Sequence, residues 1–290
     1  MIKRIAIFGS DNRSVTSECV TKIIRILLDR GLEVAIYNKL LPKINHEYKE
    51  QVIHYENILE ERKKPDLVLS VGGDGTFLET LVQVKDSGIP VAGVNTGRLG
   101  FLANIHDDIE ISIDKLLDNK FTILERCLLL LAEPEKVLGE DNVALNDITI
   151  QKADLNMIRI RVLVDGLYLN TYWADGLIIS TATGSTAYNL STGGPILAPQ
   201  DGSIIISPLS PHNLTVRPII LPGTSALRFV VEGRSNEYLA TCDYRSVKLP
   251  FSRELQIKQA DYKLRTINVE GHDFFSTLRD KLMWGADPRN

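Results

Sequence analysis

Residues 67–76 read LVLSVGGDGT, an apolar run followed by a turn of three glycines, one aspartate and one threonine. The run at 67–71 is typical of a buried strand, and residues 76–84 have the composition of the helix that follows it. Asp74 therefore lies in a flexible turn at the carboxyl end of a strand, where open α/β sheets bind their ligands.

The chain on both sides of this turn repeats the same alternation of strand and helix. Apolar runs at 5–8, 34–37 and 91–94 predict three more strands, and apolar residues between 15 and 27 recur at helical spacing. Residues 42–64 are polar and predict only a connector with some helix. The alternation predicts an N-terminal α/β domain with a Rossmann-like parallel sheet.

From about residue 121 the pattern changes to short β-type runs separated by turns. Asp165-Gly166 joins two of these runs and is a strong hairpin signal. This region predicts an all-β C-terminal domain of the β-sandwich type.

The end of the chain returns to helical spacing, with apolar residues at Phe274, Leu278 and Leu282. A single terminal helix needs a surface to pack on, so we expect it to dock back on the first domain. The expected divisions are 1–120 for the α/β domain that carries GGDGT, 121–268 for the all-β domain and 269–290 for the C-terminal segment.

Composition restricts the class of protein. The 290 residues carry a formal net charge of −4, which gives no general attraction to nucleic acid or to an anionic membrane. The N-terminal apolar run is too short for a signal peptide or a membrane span. Cys19, Cys127 and Cys242 are odd in number and widely spaced, as is typical of buried thiols rather than disulfides. We expect a cytoplasmic protein.

The carboxylate of Asp74 allows three interpretations. Backbone N–H groups at a helix start attract phosphate oxygens, but a carboxylate among them repels phosphate. Asp74 could bind a magnesium ion, accept a proton from a sugar hydroxyl that attacks a phosphate, or simply cap the helix. The sequence has no GxxxxGK[ST] loop, no GxGxxG after the first strand and no zinc-type histidine spacing, which argues against P-loop proteins, ordinary dehydrogenases and zinc enzymes.

A second glycine-rich segment, DGLIISTATGSTAYNLSTGGPI at 175–196, is crowded with small hydroxyl side chains. Such residues let the backbone approach a polar ligand closely and offer it many hydrogen-bond donors. A plain surface linker needs far fewer of them. We interpret this segment as a binding loop rather than a linker.

Several blocks resemble a known family. GGDGT is shared by NAD kinases, diacylglycerol kinases, sphingosine kinases and, in variant form, phosphofructokinases, so by itself it does not choose among them. The other blocks resemble bacterial NAD kinases in order and spacing, and the resemblance covers nearly the whole chain except residues 38–64. These blocks are NTGRLGFL at 95–102, Asn146-Asp147, the loop at 175–196, Pro211-His212, Arg217-Pro218 and FFSTLRDKLMWG at 274–285.

The resemblance implies phosphorylation of the 2′-hydroxyl of the adenosine ribose of NAD, with ATP as phosphate donor and a divalent metal ion, most commonly Mg²⁺. It implies a site between the two domains, with Asp74 as general base and no metal ion held by fixed protein ligands. The residues implied to bind NAD are Gly75, Asn146, Asp147, Asp175, Thr186, Ala187, Tyr188 and Ser191. Further candidates are Gly73, Thr76, Asn95, Phe101, Trp173, Ala182, His212 and Arg245.

The chain departs from the family pattern at three of these positions. Asp147 stands where the family has Glu, which shortens the reach of the carboxylate by one methylene. Trp173 stands where many bacterial relatives have a basic residue, and it cannot pair with a phosphate. Arg245 ends a CDYR block where relatives often have CDSQ, and it is either a ligand contact or a surface charge. Phe101 is either a platform for adenine or part of the core, and His212 is either a site residue or a turn residue.

Two alternatives to an NAD kinase remain at this point. A diacylglycerol-type lipid kinase would share GGDGT, but it needs an apolar entrance, whereas the segment 175–196 is polar. A non-catalytic dinucleotide-binding regulator would have no use for a carboxylate beside phosphates. The resemblance also implies a homodimer or homotetramer.

Overall fold

The computed structural model describes residues 2–10, 17–97, 100–106, 108–139 and 142–285. Two compact units make up the chain, residues 1–125 with 264–290 and residues 126–263. The strands are β1 (Arg4–Phe8), β2 (Glu33–Tyr37), β3 (Ile53–Tyr55), β4 (Leu67–Gly72), β5 (Val91–Asn95), β6 (Phe121–Arg126), β7 (Leu129–Glu133), β8 (Val143–Ala144), β9 (Asp147–Lys152), β10 (Ile158–Val164), β11 (Leu167–Ala174), β12 (Gly176–Ser180), β13 (Ile204–Leu209), β14 (Ile219–Leu221), β15 (Leu227–Glu232), β16 (Glu237–Cys242), β17 (Arg245–Pro250), β18 (Leu255–Gln259) and β19 (Leu264–Val269). The helices are α1 (Ser17–Asp29), α2 (His46–Lys49), α3 (Asp74–Val84), α4 (Ile109–Leu117), α5 (Tyr188–Ser191) and α6 (Phe274–Leu282), with 3₁₀ turns at Asn38–Lys43 and Thr183–Thr186.

The first unit contains a seven-stranded sheet in the order β3-β2-β1-β4-β5-β19-β6. Strands β1 to β5 pair in parallel, and β19 also runs parallel to β5. Their side chains are almost entirely buried, as expected for a parallel sheet covered on both faces. The predicted Rossmann-like α/β domain is confirmed.

Register in this sheet brings the ends of two strands together. Gly72, the last residue of β4, pairs with Asn95, the last residue of β5, and the Thr96 N–H donates to the Gly72 carbonyl at 3.2 Å. The turns that follow β4 and β5 therefore begin side by side at the carboxyl edge of the sheet. Asp74 follows the first of these strands, and the segment that starts at Gly100 follows the second.

The first unit also takes strands from beyond the expected boundaries. The seven-stranded sheet includes β6 and β19, so the units divide at 125/126 and 263/264, whereas the sequence divisions were placed at 120/121 and 268/269. Both strands are short β-type runs, and the sequence does not reveal which sheet they join. The polar connector at 42–64 contains α2 and the short strand β3, which extends this sheet at its edge.

The second unit consists of two six-stranded sheets, in the orders β11-β10-β15-β18-β7-β8 and β14-β13-β12-β9-β16-β17. Neighbouring strands pair in antiparallel fashion, and the apolar faces of both sheets contribute to one core. The Asp165-Gly166 turn has φ values of 50° and 81°, the left-handed geometry that a two-residue hairpin requires. The predicted β-sandwich domain is confirmed.

Helix α6 belongs to the first unit, as the spacing of its apolar residues predicts. Asp273 caps its start, because its carboxylate accepts from the Phe275 and Ser276 N–H groups at 2.8 and 2.9 Å. Leu278 is buried, and the Phe274 ring lies 6.4 Å from the ring of Phe101. The terminal helix is thus docked on the domain that carries GGDGT.

Candidate active site

Asp74 occupies the first helical position of α3, after Gly73 as N-cap residue. Its carboxylate does not cap its own helix. Instead, Oδ2 accepts from the Phe101 N–H at 2.9 Å, and Oδ1 accepts from the Leu102 and Ala103 N–H groups at 3.0 and 3.1 Å. Three consecutive backbone donors therefore hold the carboxylate in one orientation.

Gly100 is required for this arrangement. A Cβ atom at Gly100 would overlap Oδ1 of Asp74, so any side chain there would push the carboxylate away from its three donors. Gly93 of β5 also lies close to this segment, because a Cβ atom there would lie 2.5 Å from Cα of Ala103. The two glycines let the segment 100–103 close over the carboxylate.

A cation also reaches Asp74, from helix α6. The Nζ atom of Lys281 lies 3.5 Å from Oδ2 of Asp74 and 4.6 Å from the centre of the Phe101 ring. Phe101 is half-buried, and its ring also packs near the Phe274 ring of α6. In this structure Phe101 supports the terminal helix and the ammonium group, and its role as an adenine platform stays a prediction.

The other candidates beside Asp74 differ in exposure. Gly75 is exposed and Gly73 is half-buried, and a Cβ atom at either would meet open space. Thr76 is buried, with its hydroxyl 3.3 Å from the Ser10 hydroxyl. Asn95 is buried as well, and its side chain donates to the Ala103 carbonyl at 3.2 Å and accepts from the Gly97 N–H at 2.7 Å. Thr76 and Asn95 thus brace the turns around Asp74.

In the second unit, most hydroxyl groups of the 175–196 segment are bonded within the protein. Thr181 donates to the Leu145 carbonyl at 2.6 Å, Ser185 donates to the Ala182 carbonyl at 2.6 Å, and the Thr186 hydroxyl lies 3.3 Å from the Thr183 carbonyl. Ala182 is buried, Ala187 is half-buried, and Tyr188 and Ser191 are exposed. Fewer side chains face outward than the composition of the segment suggested.

Asn189 organises this loop and was not singled out from the sequence. Its side chain is fully buried, donates to the Ser185 and Pro195 carbonyls at 3.1 and 3.0 Å, and accepts from the Ser207 hydroxyl at 2.6 Å. Gly194 approaches so closely that a Cβ atom would overlap the Asn189 amide. The only sequence signal was an amide among small residues, which is equally typical of a surface turn.

Asn146 precedes β9 and Asp147 begins it, and the side chain of Asp243 holds the backbone of both residues in place. The Asp243 carboxylate accepts from the N–H groups of Leu145, Asn146 and Asp147 at 2.9, 2.8 and 3.2 Å. The Asn146 carbonyl accepts from the Thr181 N–H at 2.9 Å, which joins this corner to the loop. Asp243 is a positioning residue that sequence reasoning missed, since it lies about a hundred positions along the chain.

The carboxyl group of Asp147 is buried, with 6% of the residue exposed. Burial, with a smaller contribution from the neighbouring Asp243 carboxylate, raises the pKa of Asp147 to about 7. Burial also raises the pKa of Asp243, although its three backbone donors act in the opposite direction. Near neutral pH, Asp147 therefore exchanges between a neutral acid that can donate a hydrogen bond and a carboxylate that can only accept.

The remaining candidates line two adjoining cavities of the second unit. Asp175 lies in both, pairs with Lys152 at 2.7 Å, and is accompanied by Tyr188 in a cavity of about 540 Å³. Trp173 and His212 line the other, of about 550 Å³, where the His212 N–H donates to the Trp173 carbonyl at 2.8 Å.

Two arginines bear on the departures from the family pattern. The guanidinium group of Arg159 lies 5.6 Å from the centre of the Trp173 ring, so a basic group stands beside position 173 although the residue itself is apolar. Arg245 donates to the Val143 carbonyl and lies over the Tyr244 ring. In the present structure Arg245 contacts its own unit.

No group of three or more His, Cys, Asp or Glu side chains is arranged to hold a metal ion within the described ranges. None of the helices in the described part of the chain has the length and apolar composition of a membrane span.

Comparison with family models identifies the chain. Residues 5–121 match the ATP-NAD kinase N-terminal domain, and residues 145–269 match the ATP-NAD kinase C-terminal domain. The chain belongs to the NAD kinase family.

Bacterial relatives match most or nearly all of the chain. The chain is 40% identical over 294 residues to the NAD kinase of Flavobacterium psychrophilum, which covers 99% of this chain and 100% of the relative. It is 44% identical over 229 residues to the NAD kinase of Cytophaga hutchinsonii, which covers 78% of each. These matches do not favour a lipid kinase or a non-catalytic regulator.

Solved structures share the fold. Yeast NADH kinase complexed with NADH has a TM-score of 0.84 at 20% identity and covers 99% of this chain and 89% of its own. The NAD kinase from Archaeoglobus fulgidus in complex with ATP has a TM-score of 0.74 at 24% identity and covers 97% and 98%. At these identities the likeness concerns the two-domain architecture alone.

Proposed function

We propose that this chain is an NAD kinase that transfers the terminal phosphoryl group of ATP to the 2′-hydroxyl of the adenosine ribose of NAD, giving NADP. Asp74 is the general base, and the observation that supports this role is its partly exposed carboxylate, held by the N–H groups of residues 101–103 instead of capping α3. A carboxylate does not ionise a ribose hydroxyl beforehand. It accepts the proton as the new O–P bond forms.

The dinucleotide contacts are assigned to Gly75, Asn146, Asp147, Asp175, Thr186, Ala187, Tyr188 and Ser191. Tyr188, Ser191 and Gly75 are exposed. The Asp147 carboxyl group is buried, and the neighbouring backbone N–H groups donate to Asp243 rather than to Asp147. Asp147 is one methylene shorter than Glu, which reduces its reach. In its neutral form, however, it can also donate a hydrogen bond to a sugar oxygen.

A divalent ion does not fit as a protein-held cofactor at Asp74, since donors surround the carboxylate. We propose that Mg²⁺ is carried by the phosphate oxygens of ATP and by water, where it neutralises phosphate charge. Chelation with EDTA is expected to abolish turnover and leave the unfolding temperature unchanged. A fall of that temperature on chelation would indicate a structural metal ion instead.

The decisive assay uses two substrates that differ in one atom. Purified protein with ATP and Mg²⁺ is expected to convert NAD to NADP, detected with an NADP-specific dehydrogenase. An NAD analogue that lacks the adenosine 2′-hydroxyl is expected to give no phosphorylated product. Product from that analogue, or phosphorylation of diacylglycerol without NADP formation, would contradict the proposal.

We further propose a cytoplasmic homodimer or homotetramer. The described cysteines Cys19, Cys127 and Cys242 are not joined by disulfides, which is consistent with a reducing compartment, and Leu155 and Leu214 expose 95% and 86% of their surface. Light scattering coupled to size exclusion tests the assembly. A monomer at micromolar concentration would contradict it.

A further inference from the structure

Lys281 on the terminal helix contacts the carboxylate that is proposed as general base. Its ammonium group lies 3.5 Å from Oδ2 of Asp74, and the side chains of Lys281 and Asp74 are 32% and 30% exposed. The same ammonium group lies 4.6 Å from the centre of the Phe101 ring. A contact across 207 sequence positions depends on the docking of α6.

Helix geometry explains how the ammonium group reaches this point. Phe274 packs near Phe101 at the start of α6, and Lys281 follows seven residues later, two turns along the same face. Leu278, between them on this face, is buried. The apolar contacts of Phe274 and Leu278 thus direct Lys281 over the Phe101 ring toward Asp74.

The hydrogen-bond capacity of the carboxylate is filled by this contact. A carboxylate offers about four acceptor positions. On Oδ1 the donors are the Leu102 and Ala103 N–H groups, and on Oδ2 they are the Phe101 N–H group and the Lys281 ammonium group. A substrate hydroxyl can reach an acceptor position on Asp74 only if one of these four donors leaves.

The four donors differ in how easily they can leave. The three backbone N–H groups belong to one segment, which Gly100 and Gly93 hold in close contact with its neighbours, and their N···O distances are 2.9 to 3.1 Å. The Lys281 contact is longer, at 3.5 Å, and its ammonium group sits on a flexible four-carbon stem. The Lys281 position on Oδ2 is therefore the one that the hydroxyl can take.

We propose that Lys281 is a further cationic residue of the reaction, which the substrate hydroxyl displaces from Oδ2 of Asp74 onto the phosphoryl group being transferred. The inference rests on the proposed role of Asp74 as general base. The hydroxyl oxygen forms a bond to phosphorus, and its proton passes to Asp74. The bond from phosphorus to the bridging oxygen breaks, and its electron pair leaves with ADP.

The cation is needed because the backbone donors carry no net charge. The Asp74 carboxylate and the incoming phosphate oxygens are both negative and repel each other. Lys281 neutralises Asp74 before the substrate arrives and the phosphoryl oxygens afterwards, so the ammonium group always has an anionic partner.

The test compares Lys281→Met with Lys281→Arg and with Arg279→Met as matched control. Arg279 is an exposed cation on the same helix, so its replacement removes the same charge without touching Asp74. For Lys281→Met we expect kcat to fall about 10–100-fold while the KM for NAD stays constant or falls, since a competitor for Oδ2 is removed. Lys281→Arg is expected to keep at least about a third of the wild-type kcat, because the cation is retained, and Arg279→Met is expected to match the wild type.

Several results would overturn the inference. These are a kcat of Lys281→Met within threefold of wild type, an increase in KM at constant kcat, or equal losses in Lys281→Met and Lys281→Arg, which would make the role structural. Asp74→Asn in the same assay separates the two proposals. If Asp74→Asn is inactive while Lys281→Met is normal, only this inference fails, whereas normal activity in Asp74→Asn removes the general base itself.

Discussion

Asp74 and Asp243 use the same device in two different units. Each carboxylate accepts from three consecutive backbone N–H groups, those of residues 101–103 for Asp74 and those of residues 145–147 for Asp243. The Asp74 side chain is 30% exposed and meets Lys281, whereas the Asp243 carboxylate is buried beside another acid. The same backbone geometry therefore holds a carboxylate that is partly exposed in one unit, and one that fixes a corner of the fold in the other.

The largest effect is expected for Asp74→Asn. The amide cannot accept the proton, and its oxygen can satisfy at most two of the three backbone N–H groups, so kcat is expected to fall about 10²–10⁴-fold while NAD still binds. Steady-state NADP formation and equilibrium NAD binding measure the two quantities. Asp86→Asn, at an exposed position just after α3, is the control for the same chemical change. Activity of Asp74→Asn within about threefold of wild type would rule out the general base.

Gly100→Ala tests whether orientation by the backbone donors matters. The added Cβ atom would overlap Oδ1 of Asp74, so we expect a loss of about 10–100-fold in kcat, or about 1.4–2.7 kcal/mol, with little change in NAD affinity. Gly202→Ala, where an added Cβ atom also meets open space, is the matched control. An unchanged kcat in Gly100→Ala would mean that the carboxylate tolerates displacement.

Asp243→Asn tests the structural member of the pair. The amide oxygen can satisfy at most two of the three N–H groups, and the replacement removes the charge that strengthens these bonds, at a cost of about 2 kcal/mol. Thermal unfolding is expected to shift down by roughly 4–8 °C. Asp261→Asn, where the wild-type side chain is 90% exposed, should leave the unfolding temperature unchanged. A loss of kcat at constant unfolding temperature would instead place Asp243 in the chemistry.

The smallest effect concerns pH. Burial and Asp243 raise the pKa of Asp147 from 3.8 to about 7, so between these values the folded chain binds more protons than the unfolded chain. Stability is therefore expected to fall as the pH rises through this window and to level off above it. In Asp147→Asn this loss disappears, so the difference in unfolding temperature between variant and wild type should shift by roughly 2–4 °C in favour of the variant from pH 6 to pH 7, which corresponds to about 1 kcal/mol. Parallel pH profiles would contradict the raised pKa.

Local patterns in the sequence were sufficient to predict part of the fold and of the candidate site. The turn at 72–76, the Asp165-Gly166 hairpin and helix α6 are each encoded within a few residues, and the structure contains all three. The contacts that make Asp74 and Asp147 distinctive are not local. Lys281 is 207 positions from Asp74, and Asp243 is 96 positions from Asp147. Periodicity and turn chemistry describe one element at a time, so they cannot reveal these partners.

The assignment of β6 and β19 shows the same limit for the fold. Both strands have ordinary β-type sequences, and their place in the first sheet depends on pairing with strands far along the chain. The hydroxyl-rich segment 175–196 is a further case, because composition indicated many donors for a ligand. Most of those hydroxyl groups donate to internal carbonyl groups, such as those of Leu145, Ala182 and Asn189, which only a three-dimensional arrangement can reveal.

The buried side chain of Asn189 has a consequence for how this loop can change over time. Because its buried amide group makes hydrogen bonds to Ser185, Pro195 and Ser207, the shape of the loop does not depend on its outward-facing residues. Substitutions at exposed positions such as Tyr188 and Ser191, which are proposed to contact NAD, are therefore expected to cost little folding stability. The inward-facing residues determine the shape of the loop, whereas the outward-facing ones can be replaced without changing it.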